Sequence, residues 1–288
     1  MNLLTPSVIR LLDSWLDEDI GRGDLSTIAL NIDNGSAYWA TKNSGVFCGD
    51  KLIEALFKKI DQSIRIHWEI NDGEQFKPQQ TILEIEGPTK ALLAGERTTL
   101  NIAMHLSGIA TKTALMVEQL KGTGVLLTDT RKTTPGLRIL EKYATRCGGG
   151  LNHRMGLDDA VMLKENHLAW HKGELQSALE IIRAKSPWTT KIIVEAENPK
   201  QAEAAVLAGA DGVLLDEIPP EILQELVPRL RNLAEMRNIH GVPKAIVLEA
   251  SGVNPMDLKS YASTGIDLIS SSAPVTKSSW IDFSMRFN

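Results

Sequence analysis

Cysteine is scarce in this chain. Only Cys48 and Cys147 occur among 288 residues, far apart and with no metal-ligand spacing. That pattern excludes a disulfide framework and gives no support for a structural zinc site, so two small buried or half-buried thiols are expected. Apolar runs long enough to span a bilayer are missing as well. The N-terminal stretch MNLLTPSVIRLLDSWLDEDIG has no basic leader ahead of an apolar core, and its Leu4, Val8, Leu11, Leu12 and Trp15 recur at helical spacing. It is therefore expected to belong to the mature fold, with no membrane association, in the cytoplasm. No dinucleotide GxGxxG follows a strand and no GxxxxGK phosphate loop occurs; Gly148–Gly150 is too short and wrongly placed for either. Hydride transfer is disfavoured on that ground. Covalent cysteine catalysis is disfavoured too, because neither thiol falls at a strand end beside a base. Positive charge does not dominate: 31 Lys and Arg against 36 Asp and Glu leave a net −5, which argues against nucleic acid as a partner.

What is present is the composition of an ordinary globular protein, 43% hydrophobic and 23% charged, in a chain long enough for two domains. In the first hundred residues, Ser36–Lys42, Ile64–Ile70 and Thr81–Glu86 alternate as half-buried strands, and Asp50–Ile60 reads as an amphipathic helix. An antiparallel sheet follows from the short connections. Lys90–Leu120 is helical in composition, with a break expected near Gly108. Beyond it, nearly continuous apolar runs appear at Val125–Leu127, Ala160–Leu163, Ile192–Val194, Gly212–Leu215, Ala245–Leu248 and Ile266–Ile269. Helical segments at Leu175–Ala184, Pro199–Ala208, Pro220–Met236 and Pro255–Ser263 separate most of them. Six such units predict parallel strands buried on both faces, in a small or incomplete α/β barrel or, as the other arrangement, an open doubly wound sheet.

Polar residues gather at the ends of these runs. The first run leads into Asp129-Thr130-Arg131-Lys132 and the second into Lys164-Glu165-Asn166-His167. Glu195 and Glu197, Asp216 and Glu217, Glu249 with Ser251-Gly252, and Ser270–Ser272 close the remaining four. Substrates bind at the C-terminal edge of parallel α/β sheets, so six charged or polar tips in series predict one shared site. The cations Arg131, Lys132, His153, Arg154 and Lys164 suit carboxylates and phosphates. Ser251, Gly252 and Ser270–Ser272 are placed for a phosphate, and Glu195, Glu197 and Asp216 are the opposing acids. Lys142 and Arg146 of the same basic stretch are expected on a solvated helix face.

These residues stand in segments that resemble the quinolinate phosphoribosyltransferases. The segments are GERTTLN (Gly95–Asn101), DTRKTTPGLRILEKYA (Asp129–Ala144) and GGGLNHRMGLDDAVMLKENH (Gly148–His167), supported by EDIGRGDLST, IVEAEN, LLDE and EASG in order along the chain. The resemblance implies an N-terminal open-faced α/β sandwich over residues 1–110, joined again by the tail 274–288, and an incomplete α/β barrel with parallel strands over 111–273. It implies transfer of a phosphoribosyl group from phosphoribosyl pyrophosphate to quinolinate with decarboxylation, in NAD biosynthesis. Mg²⁺ would accompany the phosphoribosyl pyrophosphate, with no organic cofactor. A homodimer with shared active sites is implied, in which Arg97 is the borrowed arginine. Arg131, Lys132, His153, Arg154 and Lys164 take the substrate-contacting positions, while Glu195 and Asp216 take the ribose- and metal-associated ones; Lys132, Lys164, Glu195 and Asp216 form the catalytic set. Two other readings compete: a same-fold paralogue using another acceptor, such as the molybdenum-operon homologue, and a non-catalytic binding protein on the same scaffold. The chain departs from the family pattern at Val253 and in Ser270–Ser272, where glycine is usual, and at Glu217, where asparagine is.

Overall fold

The computed structural model of the chain describes residues 3–29, 33–170, 174–239, 242–243 and 245–288. Its contacts divide the chain into two compact units. The first comprises Met1–Ala114, Thr134–Gly149 and Pro274–Asn288; the second comprises Leu115–Thr133 and Gly150–Ala273.

The chain opens with α1 (Pro6–Ile20), β1 (Asn34–Thr41), β2 (Gly45–Val46), α2 (Asp50–Ile60), β3 (Arg65–Trp68), β4 (Gln75–Phe76) and β5 (Thr81–Pro88). Thr5 caps α1 by accepting a hydrogen bond from the Val8 amide at 3.4 Å, and Pro6 sits where its missing N–H costs nothing. On α2 the apolar positions fall on one face and bury Leu52, Ile53, Leu56 and Phe57. A long helix, α3 (Thr89–Leu120), follows and contributes its last residues, from Leu115, to the second unit. It runs unbroken through Gly108, against expectation. The cost of a glycine within a helix, about 1 kcal/mol, is accepted there for a packing reason. A Cβ at Gly108 would collide with the Ser279 carbonyl.

The next elements are β6 (Leu126–Thr128), α4 (Arg138–Cys147), β7 (Val161–Leu163), α5 (Glu165–Trp170), α6 (Leu175–Lys185), β8 (Ile192–Ala196), α7 (Pro199–Leu207) and β9 (Gly212–Asp216). The chain ends with α8 (Pro220–Met236), β10 (Asn238–Ile239), β11 (Val242–Pro243), β12 (Val247–Ser251), α9 (Leu258–Ala262), β13 (Leu268–Ser270), α10 (Ala273–Thr276) and β14 (Phe283–Phe287).

In the first unit an antiparallel sheet runs β14-β1-β5-β3, the C-terminal strand lying beside β1. Its inner face carries Trp39, Leu83, Ile85 and Phe283 into a core shared with Phe47, Phe57 and Phe76. The helix α4 was expected with the second domain but belongs here, because Leu140 and Ala144 enter a cluster with Leu12, Leu52 and Leu106. Lys142 on this helix is fully buried and has a bonded partner, so the solvated-face expectation fails for it and holds for exposed Arg146.

The six parallel strands of the second unit lie in the order β6-β13-β12-β9-β8-β7. From β7 to β13 each of these strands neighbours the next of the six in chain order, and β13 then pairs with β6. A doubly wound sheet would reverse its order at a switch point; a barrel would not. The ladder runs as in a barrel and stays open between β6 and β7, where an isolated bridge joins Thr128 to Leu151. This is an incomplete α/β barrel. Its core combines strand residues such as Val194, Val213, Leu215 and Leu248 with Ala202, Leu223, Leu226 and Leu230 of the covering helices.

Candidate active site

Parallel register brings the strand tips level. Ser251 at the end of β12 pairs with Asp216 at the end of β9, and Ser270 at the end of β13 pairs with Thr128 of β6. Around these tips lies a cavity of about 300 Å³, lined by Thr130, Arg131, Lys132, His153, Arg154, Met162, Lys164, Glu195, Leu214, Asp216, Glu249, Ser251 and Ser270. The second-unit cations singled out from the sequence all stand on its wall, with two of the proposed acids. A further cavity of about 400 Å³ penetrates the barrel and shares His153, Arg154 and Glu249 with the first.

Positioning begins at Asp129, a buried carboxylate just past β6. Its Oδ1 accepts from the His153 amide at 2.8 Å and its Oδ2 from Asn152 Nδ2 at 2.7 Å, which ties the Asn-His-Arg segment to the neighbouring strand. His153 Nδ1 accepts from the Arg154 amide at 2.7 Å. That bond places the ring proton on Nε2, which lies 3.2 Å from Glu249 Oε2 and donates to it. Arg154 Nη1 donates to the Ala160 carbonyl at 2.9 Å. Burial lowers the Arg154 pKa from its ordinary value, and the nearby Arg131 cation lowers it further while Asp159 opposes both. Two guanidinium groups close enough to repel one another form a receptor for an anion.

Lys164, just after β7, forms an ion pair with Glu195 on β8. Its amide donates to His167 Nδ1 at 3.1 Å, so exposed His167 orients the Lys164 segment at the start of α5. Glu197 lies beyond the end of β8, outside this cavity, and its amide donates to Gln201 Oε1 at 2.7 Å.

The serine expectations divide. Ser251 and Ser270 line the cavity, whereas Gly252, Ser271 and Ser272 do not. The Ser271 amide donates to the Thr128 carbonyl of β6 at 3.0 Å and its hydroxyl accepts from the Ala273 amide at 3.2 Å, so the first bond ties the segment to the neighbouring strand and the second serves the turn after β13. Val253 is buried in the hydrophobic core, which explains how the departure from glycine is accommodated: the side chain packs inward. Glu217 adopts φ +54° and is exposed; Gly252 at φ +73° leaves it room, since a Cβ there would lie 2.6 Å from Glu217 Cγ. Arg97 is exposed on α3 in the first unit.

Two residues undervalued by the sequence reading are Asp129 and Glu249. Both are buried carboxylates, Asp129 just past the end of β6 and Glu249 within β12. Their position close to a strand tip was the available signal, but the partner that gives each its role is fixed only by the fold.

Family models of quinolinate phosphoribosyl transferase match the chain, the N-terminal domain over residues 24–107 and the C-terminal domain over 109–286. A Synechocystis protein named probable nicotinate-nucleotide pyrophosphorylase (carboxylating) is 39% identical over 290 residues, covering 99% of this chain and 95% of the relative. The human nicotinate-nucleotide pyrophosphorylase (carboxylating) is 34% identical over 289 residues, covering 99% and 93%. Among solved structures, NadC from Streptococcus pyogenes superposes with a TM-score of 0.89 at 34% identity, covering 99% of each chain. The names of these relatives do not favour an alternative acceptor.

Proposed function

This chain belongs to the quinolinate phosphoribosyl transferase family, and from that premise we propose that it joins quinolinate to the ribose of phosphoribosyl pyrophosphate, releasing pyrophosphate and carbon dioxide and leaving nicotinate mononucleotide. The observation that carries this reading is the composition of one cavity wall. Arg131, Lys132, His153, Arg154 and Lys164 stand there with the carboxylates Glu195, Asp216 and Glu249.

Quinolinate brings two adjacent carboxylates, and phosphoribosyl pyrophosphate brings its phosphates. The two anions repel each other unless cations neutralise them. The arginine pair and the lysines draw both into one site and hold the ring nitrogen against the anomeric carbon. As the bond to pyrophosphate breaks, positive charge grows on the ribose, where Glu195 and Asp216 stabilise it, while Lys132 and Lys164 meet the charge on the departing group. The ring nitrogen, once ribosylated, is cationic and accepts the electron pair that remains when the 2-carboxylate leaves as carbon dioxide.

The donor set fits a hard cation that arrives with its substrate. Glu195 is engaged by Lys164 and Glu249 by His153, while Asp216 makes no ion pair among the described residues. Asp216, with Glu195 as second oxygen donor, would hold Mg²⁺ together with substrate oxygens and water, as its preference for few protein ligands requires. When bound, Mg²⁺ supplies charge neutralisation to the pyrophosphate. No helix among the described residues is long and apolar enough to cross a membrane, and the reading places the protein in the cytoplasm as a homodimer with exposed Arg97 serving the partner's site.

The test is a direct assay with quinolinate, phosphoribosyl pyrophosphate and Mg²⁺, following carbon dioxide and nicotinate mononucleotide, with nicotinate as parallel acceptor. Product from quinolinate alone is expected. Product from nicotinate, or from neither acceptor in folded protein, overturns the assignment. For the shared site, inactive Arg97→Ala and Lys164→Ala proteins are mixed; recovery of activity is expected, and its absence counts against the borrowed arginine.

A further inference from the structure

The chain's two cysteines meet in space. Cys48 follows β2 just ahead of α2, Asp72 lies in the turn between β3 and β4, and Cys147 is the last residue of α4. The two Sγ atoms and an Asp72 carboxylate oxygen all lie within 4.8 Å of one another, the only such group of three found among the described residues. Cys48 is fully buried and Cys147 half-buried. All three belong to the first unit, whereas the residues lining the cavity described above belong to the second.

The surroundings are built rather than incidental. Asp72 Oδ1 accepts from the amides of Gly49 and Asp50 at 2.5 and 3.0 Å, and Oδ2 accepts from the Tyr143 hydroxyl at 2.7 Å. Tyr143 and Cys147 are four residues apart on α4 and so share a face. The Cys48 amide is held by Ser107 Oγ at 3.1 Å. A carboxylate offers about four acceptor positions; three are occupied here, which leaves one on Oδ2. Asp72, Asp50 and Cys147 act on Cys48, and Asp50 acts on Asp72. Burial pushes the Asp72 carboxyl up to about 6 and raises the Cys48 thiol well above its usual value.

We propose that Cys48, Cys147 and Asp72 form a binding site for a zinc-class divalent cation. Two thiolates select a soft metal over Mg²⁺. Zinc takes sulfur at about 2.3 Å and carboxylate oxygen at about 2.0–2.2 Å, so tetrahedral ligands stand roughly 3.3–3.8 Å apart, within the observed limit. Water or the Tyr143 oxygen completes the fourth position. On binding, the two S–H bonds break, two protons pass to the buffer and two S–metal bonds form, with no electron transferred. The cation would fasten the end of α4 to the start of α2 and to the β3–β4 turn, three segments distant in sequence.

The experiment uses the full chain, reduced with a phosphine and freed of metal by a chelator, then titrated with Co²⁺ as probe and competed with Zn²⁺. One equivalent of Co²⁺ should produce thiolate-to-cobalt charge-transfer absorption, and Zn²⁺ should abolish it. Cys48→Ala and Cys147→Ala should each lose the band while circular dichroism confirms folding. Tyr143→Phe should keep it with about 10–100-fold weaker affinity, because Tyr143 supports a ligand without being required as one. Absence of the band in the folded wild-type protein overturns the proposal whatever the variants do. So does Co²⁺ uptake that survives loss of both cysteines. A Cys48–Cys147 disulfide in protein isolated without reductant, with no metal uptake after reduction, would assign the pair to thiol oxidation instead.

Discussion

Lys164→Ala separates a charge that serves chemistry from one that serves folding. Lys164 is bonded to Glu195 across β7 and β8, its side chain 43% exposed against 12% for Glu195. A pair open to water on the lysine side contributes only about 0–1 kcal/mol to stability, so the variant should unfold within roughly 0–4 °C of the parent. The catalytic consequence is larger. Removing one preorganised charge aimed at developing negative charge costs about 10²–10³ in turnover, or some 2.7–4 kcal/mol. It also leaves Glu195 without its partner on a wall that must bind anions. Steady-state turnover with quinolinate and phosphoribosyl pyrophosphate, measured beside thermal unfolding, reads both quantities on one preparation. Turnover within threefold of the parent would remove Lys164 from the reaction. A loss of activity matched by a large fall in unfolding temperature would show that the pair is structural, contrary to the argument.

Gly148→Ala should destabilise the first unit, since a Cβ there would strike the Ala110 carbonyl and come within 2.5 Å of Thr113 Cβ. About 1–3 kcal/mol is expected for such overpacking, visible as a drop of roughly 2–12 °C in thermal unfolding; an unchanged midpoint refutes the packing argument. Glu141 is buried, which by itself raises its pKa, but hydrogen bonds from His105 at 3.0 Å and the Thr134 amide at 2.8 Å outweigh burial and hold it below the ordinary value. A depressed carboxyl stabilises the fold above its unfolded value of about 4.3 and loses that contribution as pH falls through the folded value. Denaturant unfolding should therefore show stability falling below about pH 4.3, with the Glu141→Gln variant falling less steeply. Ser270→Ala should raise stability by about 1–3 kcal/mol, because it removes a buried hydroxyl that has no partner, while raising KM for phosphoribosyl pyrophosphate about 2–10-fold, the value of one hydrogen bond; an unchanged KM would exclude Ser270 as a contact.

Much of this fold is written in local periodicity. The amphipathic pattern of Asp50–Ile60 and the proline-initiated run Pro220–Met236 appear as helices with those bounds, and each of the six apolar runs overlaps a barrel strand. Periodicity cannot supply strand order, and it is order that distinguishes the open barrel from a doubly wound sheet. Misreadings arose where tertiary contact overrode a local signal. Gly108 lies inside a helix because Ser279 needs the space; Lys142 is buried although lysine favours water. The site was legible as a set of residue types at strand tips. Its internal wiring, Asp129 to His153 and His153 to Glu249, was not, because those bonds join segments 24 and 96 residues apart. Sequence distance likewise hid the meeting of Cys48 with Cys147.

The cavity wall also contains a deficit that argues for its use. Arg131 Nε, Glu249 Oε1 and Ser270 Oγ are buried and lack a hydrogen-bond partner, and all three residues line the same space. A buried group of this kind left without a partner costs about 1–3 kcal/mol. A structure optimised for stability alone would place apolar side chains there. These atoms comprise two donors and an acceptor, the mixture that a substrate with anionic oxygens and sugar hydroxyls can satisfy, whereas water alone would leave the arginine pair facing itself. Bound phosphoribosyl pyrophosphate should accordingly raise the unfolding temperature, and raise it less in Ser270→Ala. An equal rise in both proteins would mean that the orphaned hydroxyl is a packing defect and not a waiting contact.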